Sequence, residues 1–145
     1  MSQQSLAHKV YLVLADSYAV YLKTQNYHWN VTGPHFRHLH LLFEEQYTEL
    51  ADAIDTLAER LRTFDLKVEA NFEAFAAATS ISNADSAATA SEMIQDLVES
   101  HELLRVTLSK AAEEAQNQGD LATEDLMVER LGEHEKALWM LKSSL

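Results

Sequence analysis

FRHLHLLFEEQYTELADAIDTLAERL, residues 36–61, carries Phe36, Leu39, Phe43, Tyr47, Leu50, Ile54, Leu57 and Leu61 at steps of three and four. That spacing lays them along one stripe of a helix predicted over 36–64, with charged side chains on the other faces. Upstream, Val10, Leu14, Val20 and Tyr21 mark a helix over 6–31 that must end at Gly33-Pro34, because proline cannot continue it. Downstream, residues 65–88 lose the rhythm and become rich in Ala, Ser, Thr and Asn, with a short helix expected at 71–77. Thr89-Ala-Ser-Glu92 is a capping-box pattern that opens a third long helix through Gln118, stopped by Gly119. Asp120 then caps a fourth, to about Lys142. With three Gly and one Pro in 145 residues, a many-stranded fold is ruled out. The expectation is one all-α domain, 1–145: a four-helix bundle with a long crossover between the second and third long helices.

Composition narrows the chemistry. There is no Cys, so thiol catalysis, Fe–S clusters and Cys-based zinc sites are excluded, and any metal must use His and carboxylates. The net charge of −12 opposes a phosphate backbone, and the chain ends carry no Lys- or Arg-rich tail. The N-terminus MSQQSLAHKVYLVL lacks a basic leader region and no apolar run reaches a membrane span, so a cytoplasmic protein is expected.

The same helix over 36–64 also carries His40, Glu44, Asp55 and Glu59. His40 and Glu44 project together one turn apart, as do Asp55 and Glu59. The pairs share a face but lie about 22 Å apart along the axis, too far for one ion within a chain. Positions 40 and 59, and 44 and 55, are symmetric about one midpoint. A second copy packed antiparallel across a two-fold axis therefore brings His40 opposite Glu59 and Glu44 opposite Asp55, making two identical sites. His28, near the end of the first helix, adds a second imidazole. Two imidazoles and three carboxylates suit Fe(II), with Zn, Mn or Co as competitors. Neither Glu-x-x-His nor His-Glu-x-x-His occurs, which removes the intra-bundle di-iron pattern and the zincin protease.

NYHWNVTGPHF (26–36), LHLLFEEQY (39–47), AIDTLAER (53–60) and HEKALWML (134–141) closely resemble the Dps mini-ferritins, the DNA-protection-during-starvation proteins. The resemblance implies a ferritin-like bundle assembled into a hollow dodecamer with ferroxidase sites at its two-fold interfaces. It implies that His28, His40 and residue 44 come from one subunit and Asp55 and Glu59 from its partner. Residue 44 is usually Asp in that family; here it is Glu, longer by one methylene. The implied activity is oxidation of Fe(II), preferably by hydrogen peroxide or otherwise by oxygen, with storage of ferric mineral and protection of DNA from oxidative damage. Trp29 matches an aromatic that intercepts radicals, and Asp120 and Asp125 match acidic positions of iron-admitting pores, extended one turn to Glu129. Direct DNA binding is not expected. The competing readings are a DNA-compacting nucleoid protein and a non-catalytic helical assembly or Zn-binding protein. His35 and His38 are expected at a surface or interface, His8, His101 and His134 as structural or exposed, and the Met residues with Leu103, Leu104 and Val106 in the core.

Overall fold

A computed structural model describes residues 2–145 as five helices with no strand among them: α1 (Ser2–Asn30), α2 (Phe36–Arg62), α3 (Phe72–Ala78), α4 (Ala90–Asn117) and α5 (Leu121–Lys142). Met1 lies outside the described residues. The four long helices are those expected, displaced by a few residues at their ends, and α3 is the short helix within the crossover.

Each boundary has a local cause. Gly33 takes φ +113°, a conformation that side-chain-bearing residues rarely adopt, and with Pro34 it turns α1 into α2. Thr89 and Glu92 make both capping-box bonds, Glu92 N–H to Thr89 Oγ1 at 3.2 Å and Thr89 N–H to Glu92 Oε1 at 2.8 Å. After α4, Gly119 at φ +71° lets its own N–H reach Gln116 O and the Asp120 N–H reach Ala115 O, closing the helix end. Asp120 then accepts from the Thr123 N–H at 3.0 Å to open α5.

α1 pairs with α2 and α4 with α5, α1 and α4 join the two pairs, and α2 and α5 touch only lightly. One core cluster runs through the middle around Val10, Leu14, Leu57, Leu104, Leu108 and Met127. The other holds the end where α1 gives way to α2, with Tyr27, Val31, Leu39, Phe43, Met93 and Leu97. Each such side chain contributes about 1.5–3 kcal/mol by leaving water, which fixes the α1–α2 hairpin and so the spacing of residues it carries. Two expected core residues are not there. Leu103 and Val106 are 45% and 53% exposed. The inward stripe of α4 runs through Leu104, Leu108, Ala111 and Ala115, and the helical turn of about 100° per residue swings Leu103 away from it and Val106 further. Phe36, the first residue of the α2 stripe, is likewise exposed.

The crossover is tied down by polar groups. Buried Asp16 on α1 accepts from Thr79 Oγ1 (2.6 Å), Ser80 N–H (2.8 Å), Ser80 Oγ (3.0 Å) and Thr107 Oγ1 (2.7 Å). Buried Lys23 donates to Ser82, Asp96 and Ser100, and Tyr27 donates to the other oxygen of Asp96 at 2.5 Å.

Candidate metal centre

His28 stands in the last turn of α1 and His40 in the second turn of α2, and the tight turn at Gly33-Pro34 brings them face to face. Their rings stack at 3.8 Å between centroids with 14° between planes. The Nδ1 of His28 lies 2.7 Å from the His40 carbonyl oxygen, and the Nδ1 of His40 lies 2.7 Å from the His28 carbonyl oxygen. A carbonyl only accepts, so each Nδ1 carries the proton and donates it. In the neutral imidazole each Nε2 then carries the lone pair, the form and orientation a metal requires. Glu44, one turn beyond His40, brings its Oε1 to 3.9 Å from His28 Nε2. One donor atom each from His28, His40 and Glu44 falls within a sphere of mutual separations under 4.8 Å. The longer side chain at position 44 therefore reaches the imidazoles. Phe36 stacks on His40 at 5.0 Å and Tyr47 sets its edge toward His28 at 5.2 Å, holding the pair from both sides. Tyr47 reads as a core residue in the sequence; its place seven residues after His40, two turns along the same face, is the signal for its second role.

Asp55 and Glu59 lie further along α2, exposed, with no side-chain hydrogen bond or ion pair among the described residues. Within one protomer they are not brought to the histidines. Trp29 is 63% exposed beside the site. At the start of α5, Asp120 is committed to local bonds: Oδ1 takes Thr123 N–H and Arg60 Nη2, and Oδ2 takes Thr123 Oγ1 at 2.7 Å. Burial pushes its carboxyl up, but the Thr123 bonds and the Arg60 charge outweigh this and hold it below the usual range. Asp125 and Glu129 are exposed. His35, His38 and His8 are exposed, and His101 and His134 are buried, the structural alternative expected for them.

The buried pair forms a directed chain. Arg130, in a two-pronged ion pair with Glu49, points Nη2 at His134 Nε2 at 3.2 Å, and the two Nδ1 atoms of His134 and His101 are 2.8 Å apart. Arginine only donates, so His134 Nε2 accepts, His134 Nδ1–H donates to His101 Nδ1, and His101 carries its proton on Nε2. Burial first, then the Arg130 charge, lowers His101 to about 4; burial, His101 and Arg130 lower His134 as well. Both stay neutral in the fold while the unfolded chain binds protons from about pH 6.5 downward. Stability is therefore complete above that pH and falls as pH drops toward 4, by up to about 1.4 kcal/mol per pH unit for each histidine. Urea unfolding between pH 7 and 5 checks this; an unchanged midpoint would show that the pair accepts protons in the folded state.

The chain is similar to known proteins over nearly its whole length. A ferritin-like domain model matches residues 11–145. An uncharacterized low temperature-induced protein of Nostoc is 41% identical over 135 residues, covering 90% of this chain and 74% of its own. DNA protection during starvation protein 2 of Bacillus anthracis is 39% identical over 132 residues, covering 91% and 90%. The crystal structure of a Dps protein from Vibrio cholerae, presented as a member of a broad superfamily of ferritin-like diiron-carboxylate proteins, superposes with a TM-score of 0.94 at 34% identity, covering 98% of this chain and 89% of that one. With a matched domain, a shared fold and relatives of this similarity over nearly the full length, the chain belongs to the ferritin-like family and, within it, to the Dps proteins.

Proposed function

We propose that this protein oxidises Fe(II) at sites shared between two-fold related subunits and stores the ferric product inside a hollow assembly, a dodecamer by analogy with its family. The observation that carries the reading is the reciprocal lock of His28 and His40, which commits both Nδ1 atoms to backbone carbonyls and turns both Nε2 atoms toward Glu44 as available metal donors. Asp55 and Glu59 of a partner, free of local contacts, complete the set. Iron here is substrate. Imidazole holds the ferrous ion and hard carboxylates favour the ferric product.

Two ferrous ions each give one electron to one hydrogen peroxide, whose O–O bond breaks to leave both oxygens at the level of water. No hydroxyl radical leaves such a paired reaction, and this is how the protein would protect DNA in the cytoplasm without binding it. The charge of −12 per subunit, multiplied in the assembly, supports that separation. Oxygen serves as a slower oxidant and Zn(II) competes for the donors. Asp120, Asp125 and Glu129 would line an acidic entry for Fe(II), with Asp125 and Glu129 carrying most of the field, since Asp120 is already paired with Arg60. Trp29 would intercept stray oxidising equivalents.

The test is the rate of ferric formation when peroxide follows anaerobic Fe(II), against a protein-free control. Oxidation well above the control with a soluble ferric product is expected. A control-level rate or a precipitate would leave a Zn-holding or purely structural assembly.

A further inference from the structure

Four of the five tyrosines form, with Phe75, an unbroken series of ring contacts that begins at the metal centre. From His28, the series passes to Tyr47 (5.2 Å), Tyr21 (5.9 Å), Tyr18 (5.7 Å), Phe75 (5.1 Å) and Tyr11 (6.1 Å). All these separations lie within the range of direct aromatic contact. Tyr11, Tyr18 and Tyr21 lie on α1 with His28, Tyr47 lies on α2, and Phe75 comes from the crossover helix α3. At the far end the Tyr11 hydroxyl donates to the Glu69 carbonyl at 2.7 Å, on the surface. The fifth tyrosine, Tyr27, is next to His28 in sequence but stays out of the series: its hydroxyl is spent on Asp96 and it makes no ring contact among the described residues. The four joined phenols are half-buried, so water reaches them, whereas Tyr27 is buried.

We propose that Tyr47, Tyr21 and Tyr18 form a conducting chain that carries an oxidising equivalent away from the His28–His40 centre, with Phe75 as the contact that extends it to a surface terminus at Tyr11. The proposal rests on the ferroxidase reading. Its use arises when only one Fe(II) is bound, so that peroxide finds one electron instead of two. The O–O bond then breaks to give Fe(III), hydroxide and a hydroxyl radical. That radical takes one electron and the phenolic proton from Tyr47, becoming water and leaving a neutral tyrosyl radical. The Tyr47 radical takes an electron from Tyr21 and a proton from water while Tyr21 releases its own proton to water, so each exchange is neutral. The same exchange moves the radical to Tyr18 and then, past the Phe75 ring, to Tyr11. Phenylalanine is far harder to oxidise than tyrosine, so Phe75 serves as a bridge and holds no radical. The imidazole ligands and Glu44 are thereby spared oxidation in a half-loaded site.

The test loads the assembled protein anaerobically with one Fe(II) per site, adds one equivalent of peroxide with a nitroso spin trap, and maps adducts by mass spectrometry, with freeze-quenched EPR on matched samples. The native protein is expected to give a tyrosyl signal and adducts on Tyr18 and Tyr11. Tyr47→Phe keeps the ring and its packing but removes the oxidisable phenol, and should lose both adducts. Phe75→Leu should lose the Tyr11 adduct and keep that on Tyr18, and Tyr27→Phe should match the native pattern. Adducts on Tyr18 and Tyr11 that persist in Tyr47→Phe, or a native protein marked only at Tyr47 and Trp29, would overturn the chain. Ferric formation at two Fe(II) per site, measured on the same native protein, separates the two claims. Fast formation with adducts indifferent to Tyr47 overturns the chain alone. Formation at the control rate overturns the ferroxidase reading, and radicals made in solution then mark tyrosines without regard to Tyr47, which overturns the chain too.

Discussion

Asp55→Ala is expected to slow peroxide-driven ferric formation by about a hundredfold or more, because losing even an outer partner of a metal ligand costs about ten- to a hundredfold. Folding should be nearly untouched. Asp55 is exposed and makes no hydrogen bond or ion pair among the described residues, so its removal should change stability by less than about 0.5 kcal/mol. That combination is what separates a ligand supplied to a neighbour from a charge on a solvated helix face. The same change at Asp52, one turn earlier and equally exposed, should leave the rate near that of the native protein. An Asp55→Ala protein that oxidises iron at the native rate would place the site elsewhere.

Asp16→Ala is expected to cost about 3 kcal/mol of folding stability. The buried carboxylate gathers four hydrogen bonds from Thr79, Ser80 and Thr107, and bonds to a charged group contribute about 1.5–3 kcal/mol each, partly recovered when the freed hydroxyls turn to water. These bonds join α1, α4 and the end of the crossover. Amide exchange should therefore quicken most around residues 79–88, while the α4–α5 pair stays protected. A loss below about 1 kcal/mol, or exchange that rises evenly over the molecule, would mean that apolar packing of Ile81 and Phe75 holds the crossover unaided.

The contrast between these two residues explains how much could be read beforehand. Asp55 is readable in the sequence as a proposed ligand because the partners proposed for it follow from helical spacing and from the reciprocity of a two-fold axis, both of which are counting arguments. Asp16 is not, because its partners lie more than sixty positions away, Thr79 and Ser80 in a segment with no periodicity and Thr107 on another helix. The helices and their ends were legible for the same reason as Asp55: the three-and-four rhythm, Thr89 with Glu92, Gly119 and Asp120 act locally. What failed, besides Phe36 at the start of α2, was the orientation of one face of α4. Leu103 and Val106 are apolar neighbours of Leu104, and nothing local says which of the three looks inward. At the metal centre, spacing named His28, His40 and Glu44, but not the exchange of Nδ1 hydrogen bonds that fixes both tautomers. That exchange depends on how the Gly33-Pro34 turn sets one backbone against another. Nor did spacing show that Arg130 and Glu49 direct the buried His134–His101 pair, since that chain crosses three helices.

The central claim is that each site takes its imidazoles from one chain and Asp55 and Glu59 from another. Co-assembly of His40→Ala chains with Asp55→Ala chains tests it most directly. Each variant alone is expected to be inactive. In a mixed two-fold pair, one site carries both substitutions and the other carries neither, so random mixing restores about a quarter of the native sites. Ferric formation in the co-assembled sample should rise to about a quarter of the native rate, with the same preference for peroxide. Activity that stays at the level of the separate variants would contradict the shared site and place all the ligands within one chain.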